Sequence, residues 1–504
     1  MTVSTRSIAG VLADLVGRER VADDPARLAA AAVDGVMPRW MVRAAAVEHV
    51  AGVLALASEE SLAVIPRGSG SALDLGCPPA RVDIVLDVAG MDRIVEYNPD
   101  DLTASVQAGV TAEAFGARLA PHRQLLPVDP PGVASRTLGG LVATGAHGPL
   151  RARYGTLRDL LLGVKFVQAD GVVTWGGARV VKSVTGYDIP KLMVGALGTL
   201  GVLCELTLRV HPRPEAEATR LAIFDSLEAA GAFLARLLDS SVQPNRVEFL
   251  NRAALRRLMD EEFSSRLAAG GDVSAALAVS VGSVAEAVQA QSALIDALAH
   301  EAGGATEALP HDFWDSYAAK MVAAGRVMAL HVSTLPSQAT WSFDSQGRAT
   351  ALKDRYGNQL TLTYDANGRL ATIADPAGRG SLTLTYDATS GRLTDVTVRS
   401  MESALGHLLP GESAVVAGCA ARGTLDLLLP PSAIPVAARL IERVRGSVAE
   451  VGGHAMLRRA PREIRRTVDP WGPIDAGPLA LMRALRDEFD PRRVLNPGRF
   501  VGGL

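Results

Sequence analysis

The chain has 504 residues, 48% of them hydrophobic, which is enough for two or three domains with cores of their own. Its formal net charge is -3 with Lys and Arg spread along its length, so neither a nucleic-acid stripe nor a polybasic membrane anchor is indicated. Cys77, Cys204 and Cys419 lack CxxC or CxxxC spacing, no apolar run reaches the ~20 residues of a membrane span, and residues 1–27 do not read as a signal peptide. These features argue against an iron–sulfur or zinc site and point to reduced thiols in the cytoplasm.

In chain order, Val47, Val50, Leu54 and Ala57 recur at helical spacing and are followed by short apolar runs at 62–65 and 84–88, an α/β unit. Between these runs lies IPRGSGSALDLG, residues 65–76, a strand entering a glycine-rich loop. Gly68 and Gly70 let the backbone approach an anion and turn its N–H groups inward, as a diphosphate requires. A Rossmann loop needs a third glycine three residues later and then a helix. Here Leu73 and then Leu-Asp-Leu-Gly-Cys-Pro-Pro follow, which cannot form an amphipathic helix. The loop is therefore either a plain turn or a dinucleotide site on another fold.

Strands at 93–97 and 102–108 flank the turn Asn98-Pro99-Asp100-Asp101, and a helix starts near Thr111. A second glycine cluster, Val128 to Gly155, contains DPPG, TLGGLVATGAHGP and RYGTLRD and leads into an alternating strand at 162–169. A third, GALGTLGVLCELTLRV from Gly195 to Val210, ends in a strand closed by His211-Pro212-Arg213-Pro214, a domain boundary. Residues 215–333 alternate helical patterns with β-like runs such as 276–281 and read as a separate α+β domain. Thr, Tyr, Asp and Gly then dominate until Val398. Phe343-Asp344, Tyr364-Asp365 and Tyr386-Asp387 recur there at intervals of 21 and 22 residues, each followed by Gly-Arg, which predicts an array of β-hairpins.

Read together, PRGSGS, TLGGLVATGAHGP with RYGTLRDLLLGVKFVQADG, and GYDIPKLMVGALGTLGVLCELTLRV resemble the FAD-binding domain of the vanillyl-alcohol-oxidase superfamily, the p-cresol-methylhydroxylase (PCMH) type. Within it the chain resembles the FAD-binding E subunit of bacterial glycolate oxidase, through VVKSVTGYDIPKLMVGALGTLGVL and FDPRRVLNPGRF. The likeness covers roughly residues 1–338 and 401–504, whereas 340–399 resemble the YD repeats of Rhs-type shell proteins. So few repeats cannot enclose a shell.

The resemblance implies an α+β protein. A PCMH-type FAD-binding domain of two α/β subdomains would span 1–212. An α+β cap domain at 213–338 and 401–480 would be interrupted by a β-hairpin repeat insert at 339–400, and a segment at 481–504 would return to the FAD domain. It implies that Pro66, Arg67, Gly68, Ser69, Gly70 and Ser71 wrap the FAD diphosphate. Pro131, Thr137, Leu138, Gly139, Gly140, Thr144, Gly145, Ala146, His147 and Gly148 would line the flavin and ribityl chain, with Gly198, Gly201 and Val202 behind them. Several relatives attach the flavin to a histidine where this chain has Ser71, so the FAD would be noncovalent and His147 a lining or structural residue.

The implied activity is oxidation of glycolate, a small 2-hydroxy acid, to glyoxylate. A second FAD-containing subunit and an iron–sulfur subunit would take the electrons, in the cytoplasm or at a membrane through those partners. A cation for the carboxylate and a base for the hydroxyl proton are also needed. Arg326 and His331, in GRVMALHVSTLP, are the candidates, although a separation of five residues puts them on opposite faces of a regular strand. A surface arginine and a structural histidine is the other reading. Trp471 belongs either to an interaction surface or to the cap of a core. Two further functions stay open: a self-sufficient FAD-dependent oxidase or dehydrogenase of lactate, another alcohol or a sugar lactone, and a non-catalytic flavoprotein or YD-repeat interaction module.

Overall fold

The structure, a computed structural model, describes residues 7–178, 187–259, 273, 275–321, the strands between 328 and 395, and 415–419, 424–429, 434–450 and 453–504. The α/β unit expected at about 43–86 contributes to a four-stranded sheet in which Trp40–Arg43, Ile84–Asp87 and Val64–Arg67 are parallel and Val21–Ala22 adds an antiparallel edge. The helix Val47–Glu59 buries Val50, Val53, Leu54 and Ala57, the stripe its 3.6-residue period presents. It shares one core with Val64, Ile84 and Leu86, and Val494 and Leu495 from the far end of the chain complete that core. Val494 and Asn496 clasp Val64, which donates to Val494 O (2.8 Å) and accepts from Asn496 N (3.0 Å).

A second, antiparallel sheet runs in the order Ile94–Asn98, Thr103–Gln107, Val202–Arg209, Leu161–Val167 and Val173–Gly177. Two of its three inner strands, Thr103–Gln107 and Val202–Arg209, are buried along nearly their whole length, polar side chains such as Ser105 and Thr207 included. The helix Leu138–Thr144, capped by Thr137 Oγ1 on Gly140 N (3.2 Å), lies on it and ends at Gly145 in the left-handed region.

The α+β region after Pro214 is built on an eight-stranded antiparallel sheet, ordered Ala305–Ala308, Ala216–Phe224, Ala275–Ser283, Pro244–Asn251, Val415–Gly418, Thr424–Leu429, Met328–Ser333 and His454–Arg459. Side chains alternate between its faces. Val247, Phe249, Leu425, Leu427, Ala455 and Leu457 face a core closed by the helices Leu227–Asp239, Ala285–Glu301 and Ile434–Glu450. Leu250, Ala276, Ala278, Ala417 and Leu428 take the other face, under the helices Arg252–Leu258 and Phe313–Lys320.

The strands Met328–Ser333 and Thr424–Leu429 pair directly, Ser333 opposite Thr424, although 90 residues (334–423) separate them in sequence. Inside that excursion the strands Ala339–Phe343, Ala349–Asp354, Gln359–Tyr364, Leu370–Ala374 and Ser381–Thr383 pair in sequence order as an antiparallel meander, the hairpin array that the repeat predicts. Thr385–Tyr386 and Leu393–Asp395 form a separate pair, and none of these strands joins the eight-stranded sheet. Ser333 and Thr424, which bound the excursion, are paired, so the extra length costs the host little, about 0.6 kcal/mol per doubling.

Candidate active site

The loop after Val64–Arg67 forms one wall of a cleft. Pro66, Arg67, Gly68, Ser69, Gly70 and Ser71 face Arg136, Thr137, Gly140 and Thr144 across it, with Leu197, Asn496 and Arg499 completing the lining. Gly70 has φ +79°, and a Cβ on Gly68 would lie 2.1 Å from Thr137 Oγ1, so the close approach of loop and helix requires both glycines. Among the described residues, nothing accepts the amides of Gly68, Ser69, Gly70 or Ser71. Arg67 Nε, Arg136 Nε and Arg499 Nη1 are likewise buried without a described partner. Buried donors without acceptors are costly, and this many converging on one cleft mark it as a site for an anionic ligand.

A larger cavity of about 460 Å³ adjoins this cleft; Ser71, Ala72, Leu75, Arg136 and Thr144 line both. Its other wall is the exposed-to-cavity face of the eight-stranded sheet, contributing Glu248, Thr424, Asp426, Leu428, Met456 and Arg458, together with Tyr317 from the helix Phe313–Lys320. Pro131, Ala146, His147, Gly148 and Arg151 close it on the side of the glycine clusters. Arg151 donates to Thr424 Oγ1 (2.6 Å) and stands 3.0 Å from His147 Nε2, with Arg458 3.4 Å from the same nitrogen. Arg136 donates to Thr144 Oγ1 (3.1 Å), and burial, then the charge of Arg458, push it down to about 10, which leaves it cationic at neutral pH. Among the described residues neither Arg136 nor Arg458 has a carboxylate partner. Two mutually repelling guanidinium groups beside a cavity suit a ligand carboxylate, which a guanidinium fork holds in two hydrogen bonds.

Glu248 is buried and lines the same cavity, on the sheet that also carries Arg458. It accepts from Tyr317 Oη at 2.8 Å, and burial raises its carboxyl to about 8. Ion pairs hold the two sides of the cavity together. Arg459 reaches Asp74 (2.6 Å), Arg246 reaches Asp129 (3.0 Å), and Arg465 pairs with Asp34 while donating to Gly76 O (3.1 Å).

The residues expected to bind a cofactor divide into three groups. Pro66 to Ser71, Thr137, Gly140 and Thr144 line the cleft; Pro131, Ala146, His147 and Gly148 line only the larger cavity. Leu138, Gly139, Gly145, Gly198, Gly201 and Val202 line neither. Their positions are set by packing: Leu138 and Val202 are in cores, a Cβ on Gly139 would meet Ala108, and one on Gly201 would come within 2.5 Å of Phe166. Gly198 is behind the cleft, where a Cβ would touch Pro66 and Asn496.

Arg326 falls outside the described residues. His331 occupies the register position between Asp426 and Met456. Trp471 is buried, donates to Arg499 O (3.2 Å) and packs edge-on against Phe500, so it caps a core.

Arg136, Arg458, Arg499, Glu248, Tyr317 and Asp426 are additions that only the structure supplies. Glu248 and Asp426 carry a signal in the sequence: each is an acid within an apolar strand run, Val247-Glu248-Phe249-Leu250 and Leu425-Asp426-Leu427. An acid there must find a partner or a cavity.

The fold is that of PCMH-type flavoproteins. The whole chain superposes on p-cresol methylhydroxylase with substrate bound (TM-score 0.62, 15% identity, 97% of this chain and 95% of that one). It does so equally on 4-ethylphenol oxidase from Gulosibacter chungangensis (TM-score 0.64, 14% identity, 97% and 96%). Residues 38–177 match the FAD binding domain family, 213–345 and 469–500 the C-terminal domain of FAD linked oxidases, and 343–379 and 364–400 the RHS repeat. The chain therefore carries an FAD-binding domain of this type joined to an FAD-linked oxidase C-terminal domain, with an RHS-type repeat inserted.

Among curated proteins it is 30% identical over 224 residues to glycolate oxidase subunit GlcD of Bacillus subtilis (44% of this chain, 48% of the relative). It is 32% identical over 217 residues to a probable mitochondrial D-lactate dehydrogenase of Danio rerio (42% and 43%). The chain spans about half the length of the curated relatives it matches.

FAD fits the residues present. Free loop amides and unpaired guanidinium donors suit a diphosphate, and the small residues Gly68, Gly140 and Ser71 leave the cleft open beside the larger cavity. Among the described residues no helix is long and apolar enough to cross a membrane, and no group of His, Cys, Asp and Glu is arranged to hold a metal ion.

Proposed function

We propose that the chain is a flavoprotein subunit that oxidises a small 2-hydroxy acid, glycolate or lactate, and hands the electrons to partner subunits of a glycolate oxidase type of complex. The observation that carries this reading is the pair Arg136 and Arg458, cationic and without a described carboxylate partner, lining a cavity that shares a wall with the FAD cleft. The relatives, a glycolate oxidase subunit and a probable D-lactate dehydrogenase, support substrates of this kind.

Bound FAD supplies a two-electron acceptor for the hydride on the hydroxyl-bearing carbon. The chain supplies the rest. Loop 66–71 holds the diphosphate noncovalently, since Ser71 offers no nitrogen for a flavin link. Arg136 and Arg458 hold the substrate carboxylate and so fix which hydrogen of the adjacent carbon faces the cofactor. The walls of the eight-stranded sheet keep bulk water from the reacting atoms.

Anaerobic mixing of the purified yellow protein with glycolate, D-lactate or L-lactate tests the activity. Bleaching of the flavin by one of them is the expected result, and a flavin that none of them reduces refutes the substrate class. Turnover with a dye acceptor in the absence of any partner would refute the obligate-subunit role and leave a self-sufficient dehydrogenase.

A further inference from the structure

We propose that Glu248, hydrogen-bonded to Tyr317, is the base that takes the hydroxyl proton of the substrate; this rests on the flavoprotein reading above. Glu248 is on Pro244–Asn251, the strand beside Val415–Gly418, on the sheet face that the cavity exposes. Its Oε2 accepts from Tyr317 Oη (2.8 Å), and no described residue donates to Oε1. Across the cavity stand Arg136 and Arg151, and Arg458 lines it from the same sheet as Glu248. A carboxylate gripped by those arginines leaves its hydroxyl in the cavity that Glu248 lines, beside an acid with an oxygen to which no described residue donates.

The reaction then balances. The substrate O–H bond breaks and its proton forms an O–H bond on Glu248. The C–H bond breaks with its electron pair going to FAD, and the C–O single bond becomes a carbonyl. The hydroxy acid is oxidised by two electrons and FAD is reduced by two.

The groups around Glu248 tune it for this task. Burial is the largest influence and raises its carboxyl to about 8, Tyr317 and Arg151 pull it down, and Asp426 and Asp129 push it up. A base near the working pH combines a usable ionised fraction with proton affinity. Tyr317 stays protonated, since burial and the adjacent Glu248 charge raise its own hydroxyl, so it acts as a positioning donor.

The test uses the flavin-loaded full chain and the variants Glu248→Gln and Tyr317→Phe. With the hydroxy acid that bleaches the wild type, Glu248→Gln keeps its flavin and its KM within a few-fold and loses roughly 100-fold or more in kcat. It also loses the rise in rate through about pH 8 that the wild type shows. Tyr317→Phe moves that midpoint upward, because it removes a hydrogen bond to the ionised form.

A second readout needs no turnover. Oxalate binding, followed by calorimetry in two buffers of different ionisation heat, takes up a proton above pH 8 in the wild type, because a bound anion favours protonated Glu248. It takes up none in Glu248→Gln. Wild-type kcat in Glu248→Gln, the same proton uptake in both proteins, or no oxalate binding by the yellow wild type each overturns the proposal. A wild type purified without flavin overturns the reading beneath it instead.

Discussion

Replacing Glu248 by Gln should change stability in a way that depends on pH with a defined sign. A carboxyl whose folded value is raised binds a proton that the unfolded chain releases, so the folded wild type is favoured at low pH and loses stability as pH rises. The loss begins near 4.5, the ordinary value, and is complete near 8. A shift from 4.5 to about 8 corresponds to about 5 kcal/mol in full, growing by about 1.4 kcal/mol per pH unit. Gln has nearly the shape of the neutral acid, can still accept from Tyr317 and does not titrate. Urea unfolding of both proteins between pH 5 and 7.5 should therefore show Glu248→Gln gaining on the wild type by about 3 kcal/mol across that window. Parallel stability profiles would show that Glu248 ionises as freely when folded as when unfolded, and would refute the argument from burial.

Other outcomes follow from single contacts. Gly68→Ala places a Cβ 2.1 Å from Thr137 Oγ1, so it should force the loop off the helix and abolish co-purifying flavin, read from visible absorbance. Arg465→Met leaves Asp34 buried without its partner and should destabilise the chain by about 3–5 kcal/mol, measured by denaturant unfolding. Arg458→Met should raise KM for the hydroxy acid about tenfold or more while the flavin content stays unchanged, because it removes one arm of the carboxylate grip. Deleting residues 339–400 removes strands that pair only among themselves and should leave flavin content unchanged; loss of flavin on deletion would show that the insert supports the host fold.

The repeat period, the glycine clusters and the apolar runs identify most elements because each is a local signal. Helix Val47–Glu59 follows its own 3.6-residue stripe, and the loop at Gly68 and Gly70 follows from backbone freedom that only glycine has. Leu73 in the place of a third glycine excludes a Rossmann turn for the same local reason, and the chain makes a run of turns there. The insertion is equally legible, since its composition breaks sharply from its surroundings and its hairpins pair in sequence order.

What only the tertiary structure decided is which residues meet. Arg136, Glu248, Tyr317, Asp426 and Arg458 come from five separate segments, and nothing in their spacing brings them together. Antiparallel register places Glu248 and Asp426 on one face of a sheet, and docking of that face on the glycine-cluster side sets Arg136 and Arg151 opposite. Likewise Gly139, Gly201 and Val202 sit in motif positions and pack closely against neighbouring elements, because the space a glycine leaves can be filled by a neighbouring strand as well as by a ligand. The sequence by itself determined the glycine-rich loops and an insertion, both written in contiguous residues. The cavity chemistry depends on long-range pairing, which contiguous residues do not encode.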